Sequence, residues 1–291
     1  VTRGARLGAL LLLGAGIAAV FLGRSPETAG AGRAGSLSSR LLGPVSKLAG
    51  GWQWVRVRQA LDDRRPELAY DRARLALELD PAATSAWAFF AGHLANDRAS
   101  PFREPDPARR QRWTEAALAL LRRGEAQAER PAELAAQAAA VLVRVAEYDG
   151  AIPWPGGRRG ALLGAQEHLE RATDLDPDWT EGWVLLAALR GLWLASPELV
   201  EGPEERVAAL RRGLATLEEA ASHGTRPGPI AFQRGMLLTV FAEEGEEAEL
   251  GLWPGGRAGA LGEALRAFEA AREAGFPAAA AAVHELEEAL H

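Results

Sequence analysis

Gln166-Glu-His-Leu-Glu-Arg-Ala-Thr-Asp-Leu-Asp-Pro177, with Trp183 six residues after its proline, has an earlier counterpart in the chain. That counterpart is Tyr70-Asp-Arg-Ala-Arg-Leu-Ala-Leu-Glu-Leu-Asp-Pro81, with Trp87 at the same distance. Trp154-Pro-Gly-Gly-Arg-Arg-Gly-Ala-Leu162 matches Trp253-Pro-Gly-Gly-Arg-Ala-Gly-Ala-Leu261 at an offset of 99, and Ser100-Pro101 matches Ser196-Pro197 at 96. Prolines recur at Pro81, Pro131, Pro177, Pro227 and Pro277, spaced by 50, 46, 50 and 50. Independent matches near one offset mark internal repetition. The chain from residue 52 to 291 reads as an array of units of about 48 residues, with an approximate superrepeat of two units.

The units read as helical. Ala69, Ala73 and Ala76 fall on one helical face, as do Ala165, Leu169 and Ala172, and Ala264, Phe268 and Ala271. Proline after each such stretch stops one helix and suits the first turn of the next. The pattern predicts helices over 52–64, 66–79, 82–96, 107–128, 132–148, 158–175, 178–194, 203–222, 228–243, 257–274 and 277–290, and no strand. Abundant alanine with sparse Val, Ile and Thr agrees.

Ala69-Ala73-Ala76-Pro81 followed by Trp87-Phe90-Ala91, and Ala165-Leu169-Ala172-Pro177 followed by Trp183-Leu186-Ala187, resemble the tetratricopeptide repeat. Ala264-Phe268-Ala271 fits its second helix, and the units around Ala117, Leu121, Gly124 and around Gly213, Leu217, Ala220 fit loosely. The resemblance implies an all-α chain: a right-handed α-solenoid of about five TPR-like helical hairpins plus a C-terminal capping helix. It also implies protein–protein interaction as the function. The units exceed the family's length of about 34 residues. The excess lies between the two helices of each unit, at 97–106, 149–157, 195–202 and 244–256. Some members hold a peptide carboxylate with Lys and Asn on first helices. Ser85, Ala88, Gly92, Ala95, Glu181, Val184, Ala188 and Gly191 stand at those positions, so that clamp is not implied here.

Arg3 and Arg6 precede an uncharged run over 7–23, closed by Arg24. It is near the short limit for a bilayer-spanning helix and lacks a polar face. Residues 1–24 therefore read as one N-terminal transmembrane signal-anchor or a cleavable signal helix, with Ala29-Gly30-Ala31 as a passable cleavage site. Residues 25–51, rich in Gly, Ser, Ala and Pro, read as a flexible tether with a short helix at 37–42. The expected location is a single-pass membrane protein. Positive charge on both sides of the run leaves the side open, leaning extracytoplasmic.

The 291 residues carry a net charge of -6 and no cysteine. That excludes disulfides and thiolate chemistry, and it argues against a nucleic-acid partner. Lys47 is the sole lysine, a bias of the kind that GC-rich bacterial genomes produce. The five histidines show no metal spacing, and no nucleophile elbow, phosphate loop or dinucleotide fingerprint is present. No enzyme, catalytic residue, metal or cofactor is expected. Trp154, Arg158, Trp253 and Arg257 in the two Trp-Pro-Gly-Gly-Arg loops are the candidate partner-binding residues, because Trp and Arg dominate interface hot spots. The same indoles equally suit folding back onto the solenoid edge. The glutamates from Glu243 to Glu249 read as a solvated loop. Other proteins and the membrane, through 7–23, are the expected partners. The alternative is an extracytoplasmic binding module for a small molecule or glycan, with the Trp-bearing loops as a lid.

Overall fold

The computed structural model describes residues 44–290 apart from 149, 195, 197, 198 and 201. The apolar run over 7–23 and the expected helix at 37–42 lie outside the described residues. Among those described, no helix is long and apolar enough to cross a membrane. The described chain is all-α, with twelve α-helices and no strand.

The described residues divide into two compact units, 44–175 and 176–290. The first contains α1 (Pro44–Asp62), α2 (Pro66–Leu79), α3 (Thr84–Gly92), α4 (Pro107–Glu125), α5 (Pro131–Glu147) and α6 (Gly157–Leu175). A π-helical segment, His93–Arg98, continues α3. Helices α1 and α2, α3 and α4, and α5 and α6 pack as successive hairpins, and α3 also touches α5. The second unit contains α7 (Thr180–Leu194), α8 (Pro203–Ser222), α9 (Pro227–Glu244), α10 (Glu247–Leu250), α11 (Gly256–Glu273) and α12 (Ala279–Leu290). Here α7 pairs with α8 and α9 with α11, α7 touches α9, and α12 packs on α11.

Five helices open on proline at their first turn: Pro66, Pro107, Pro131, Pro203 and Pro227. There the missing N–H costs nothing. Pro81 and Pro177 act differently. Their carbonyls accept the indole N–H of Trp87 (2.8 Å) and Trp183 (2.7 Å). The helix between starts at Thr84 or Thr180, whose hydroxyl accepts the backbone N–H of Arg130 or Arg226, each at 3.0 Å. That N–H belongs to the residue before the proline opening the next hairpin's first helix. Consecutive first helices are thus tied at their N-termini in the same way in each unit.

Close helix crossings rest on absent side chains. A Cβ on Gly124 of α4 would lie 2.7 Å from Leu134 Cδ1 and 2.8 Å from Trp87 Cγ, and one on Gly235 of α9 would lie 2.6 Å from the Phe268 ring. Helix α5 is buried on most of its circumference, from Ala132 and Leu134 to Val145 and Ala146. The core of the second unit gathers Trp183, Leu210, Leu217, Leu237, Leu238, Phe241, Trp253 and Phe268.

Two local expectations differ. Helix α1 covers Pro44–Asp62 among the described residues, so residues 44–51 belong to the first hairpin and not to the tether assigned to 25–51. Gly50 and Gly51 suggested flexibility, but a Cβ on Gly50 would lie 3.1 Å from Asp80 Cβ, so packing against the end of α2 overrides propensity. In addition, α10 forms within the 244–256 stretch read as a loop.

A buried carboxylate on α4 and a partly buried histidine on α6 lie near one another. Glu125 accepts from Arg171 Nε at 2.7 Å, and burial lowers the His168 pKa, partly opposed by Glu125. A lowered pKa means that the folded state prefers the neutral ring. The associated stability is present above the unfolded value and declines as pH falls through the window below it. Urea midpoints should therefore drop between about pH 7 and 5, a window set by the usual His pKa, and His168→Gln should flatten part of that drop. A second expectation separates two glycines. Gly124→Ala should destabilise, because overpacking costs about 1–3 kcal/mol against a helix-propensity gain of about 1 kcal/mol. Gly51→Ala, with nothing within 4 Å of the new Cβ, should stabilise by up to about 1 kcal/mol. Equilibrium urea denaturation of both variants checks the contrast.

Candidate functional site

The two Trp-Pro-Gly-Gly-Arg loops have the same backbone. Gly157 donates to the Trp154 carbonyl and Gly256 to the Trp253 carbonyl, both at 2.9 Å. Both Gly-Gly pairs are left-handed, with φ of 72° and 59° at Gly156 and Gly157, and 75° and 60° at Gly255 and Gly256. Only glycine takes two such steps at low cost. The third glycine of the motif also has a reason. A Cβ on Gly160 or Gly259 would lie 2.0 Å from the carbonyl oxygen of Pro155 or Pro254. The motif is therefore a turn that launches α6 and α11 with the proline carbonyl folded tightly over the first helical turn.

Each turn is fastened by a buried arginine that the sequence reading did not single out. Arg110, fourth residue of α4, donates from Nε to the Ala151 carbonyl at 2.7 Å and from Nη1 to the carbonyls of Glu104 (2.7 Å) and Pro105 (2.9 Å). Arg206, fourth residue of α8, donates from Nη2 to the Glu244 carbonyl at 3.0 Å, and its Nε lies 3.4 Å from Glu249 Oε2. Both side chains of that ion pair are buried. Glu249 also accepts the backbone N–H of Glu246 at 3.0 Å, which closes a capping box over α10. The run from Glu243 to Glu249 is thus only partly solvated. Arg110 and Arg206 are 96 residues apart, the same offset as the tryptophan junctions, and each sits three residues after the proline that opens its helix. That shared position was the available signal.

The four candidate residues separate. The Trp253 indole is withdrawn into the core, 9% exposed, with its ring 5.7 Å from Phe241. Trp154 and Arg158 are half-buried. Arg257 is exposed and lines an open cleft of 470 Å³ together with Glu247, Leu250, Gly251 and Gly256. The cleft therefore presents one apolar side chain, glycine backbone and two opposite charges. Burial raises the Glu243 pKa, Glu244 raises it further, and Arg257 pulls it back. Among the described residues, no group of three or more His, Asp or Glu is arranged to hold a metal ion.

A second polar cluster lies in the first unit. Tyr70 of α2 packs its ring centroid 5.6 Å from Phe90, 6.0 Å from His93 and 6.2 Å from Trp113. Arg98 sits 5.0 Å over the Trp113 ring, and His93 Nδ1 is 2.8 Å from Asp97 Oδ2. The Tyr70 hydroxyl and His93 Nε2 are buried without a hydrogen-bond partner. Burial raises the tyrosine pKa, with Arg98 opposing. The sequence reading did not single out the His93–Asp97 pair, whose four-residue spacing was the available signal.

No protein-family model matches this sequence, and no curated protein matches it significantly.

Two outcomes follow from this geometry. Arg206→Met should cost about 3–5 kcal/mol, because it leaves Glu249 as a buried, unpaired charge. The double variant Arg206→Met/Glu249→Leu should recover much of that loss, and a urea double-mutant cycle measures the coupling. Removing the opposing charge with Arg257→Gln should raise the Glu243 pKa further, read by NMR titration of the carboxyl.

Proposed function

We propose that this chain is a membrane-tethered, tetratricopeptide-like protein–protein interaction scaffold or adaptor. In this reading the helices form the hairpins of a right-handed solenoid, and the excess length of each unit supplies recognition loops on its edge. The observation that carries this reading is the cleft beside the second Trp-Pro-Gly-Gly turn. It is shallow, mixed in charge and floored by Leu250 and glycine backbone, which suits an extended peptide segment better than a small enclosed ligand. Of the four residues proposed from sequence, Arg257 is the one assigned to contact, with Glu247 opposite. Trp253 is assigned to hold the turn from below. Trp154 and Arg158 form the corresponding edge of the first unit.

The glycan-binding alternative draws less support, because no aromatic ring lines the cleft and Trp253 has no exposed face for sugar stacking. Tethering is carried by the uncharged run over 7–23. This reading puts the repeats on the extracytoplasmic side.

A photo-crosslinker at Arg257 of the full chain, activated in cells, should capture one reproducible protein that a crosslinker at Asp71 on α2 does not. Arg257→Glu/Glu247→Arg with the crosslinker moved to Gly251 should abolish the capture without changing the urea midpoint. Equal capture from both positions would overturn the assignment of the edge. The full chain should resist alkaline carbonate extraction from membranes, and the same chain lacking 7–23 should not.

A further inference from the structure

Helix α1 turns two faces in opposite directions. Its inner face buries Ser46, Val57 and Ala60 and brings Trp54 within 5.7 Å of the Phe89 ring. Its outer face exposes Val45 (60%), Leu48 (76%), Trp52 (56%) and Val55 (49%). At 3.6 residues per turn these four fall within an arc of about 80°. Arg56 borders that arc on one side, and Lys47 and Arg58 border it on the other. Lys47 is 3.7 Å from Glu129 in an exposed ion pair, which holds it only weakly. The helix has no acid before Asp62, although the chain as a whole is acidic. Four consecutive apolar anchors with one tryptophan, flanked by cations, form the face of a helix that lies in a membrane interface.

We infer that the outer face of α1 lies on an anionic lipid surface, with Leu48, Trp52 and Val55 entering the headgroup–acyl boundary and Lys47, Arg56 and Arg58 meeting lipid phosphates. Two observations favour lipid over a second copy or a protein partner. Pairing of this face with the same face of a second copy would set its cations against each other, whereas an anionic leaflet offers the opposite charge. Only twenty residues, 24–43, separate α1 from Gly23, the end of the apolar run. Twenty residues span at most about 70 Å, so a chain anchored through 7–23 keeps α1 within reach of the bilayer. The inference rests on that run entering the membrane. It adds that the first hairpin is laid down on the surface and does not hang free of it.

The absence of cysteine makes single labelling direct. Leu48→Cys, Val55→Cys and, as a control on the exposed side of α2, Asp71→Cys are each introduced into the full chain and spin-labelled. The protein is reconstituted in phosphatidylcholine/phosphatidylglycerol vesicles, and accessibility to oxygen is compared with that to a nickel chelate. Labels at 48 and 55 should show an oxygen-to-nickel ratio several-fold above the label at 71. The ratio should fall toward the control in pure phosphatidylcholine and in Lys47→Gln/Arg56→Gln/Arg58→Gln. Vesicle flotation separates the two readings. If the chain floats and the labels at 48 and 55 match the control, the surface assignment is wrong while tethering stands. If the chain does not float, both fall. Shielding that persists in pure phosphatidylcholine and grows with protein-to-lipid ratio would identify a second copy as the occupant and overturn the proposal. Shielding present without any vesicle and lost when 7–23 is removed would identify that segment instead, with the same effect.

Discussion

An indole N–H that finds its acceptor six residues upstream fixes the turns before Trp87 and Trp183. A buried indole gains by donating to a buried acceptor. The Pro81 and Pro177 carbonyls, left without a role by the turn, are where Trp87 and Trp183 donate. Once the ring is pinned, its face needs a flat neighbour. In the first unit that neighbour is Gly124, where a methyl group would meet the ring at 2.8 Å. Thr84 and Thr180, held between proline and tryptophan, then accept the N–H that positions the following first helix. Each hydrogen bond contributes only about 1 kcal/mol net. Their importance lies in satisfying buried groups at the same place in both units.

Much of this was legible from residue order. Proline and the repeated Asp-Pro…Trp junction locate most helix ends to within a residue or two, and α2 and α8 fall at the expected limits. The missed features have other causes. Helix α10 shows no periodicity, because a four-residue helix held by its own capping box has no face to display. The π-helical segment is a change in hydrogen-bond register and not in residue pattern. Arg110 and Arg206 were passed over because a charge near the start of a helix usually reads as solvated. Their burial depends on carbonyls brought back from 41 and 38 residues further on, respectively.

Trp154 and Trp253 show the limit of a local motif. Identical backbone, identical glycines and a matching arginine clamp still leave one indole half-buried and the other in the core. The difference lies beneath them: Phe241 packs against the second indole, within a core that also includes Leu250. A motif dictates the turn, and the tertiary environment decides whether its tryptophan is a contact or a wedge. The same divergence separates the cores. Arg98 and Trp113, joined by a cation–π contact, stand 96 residues before Leu194 and Ala209, which are both buried apolar residues.

The π-helical segment sets this contrast in rotational phase. An i→i+5 turn takes up more residues than an α-turn, so each residue in it rotates less about the axis and a helix of the same residue count ends in a different phase. The bond from the Ala99 N–H to the Leu94 carbonyl records that wider turn. Arg98 meets the Trp113 ring from within it. The counterpart helix, α7, runs as an uninterrupted α-helix to Leu194. Trp87 and Ser100 both lie 96 residues before Trp183 and Ser196, so the two stretches hold the same number of residues and differ only in how those residues are wound. The distinction between the two halves of this repeat is thus one of winding at equal length.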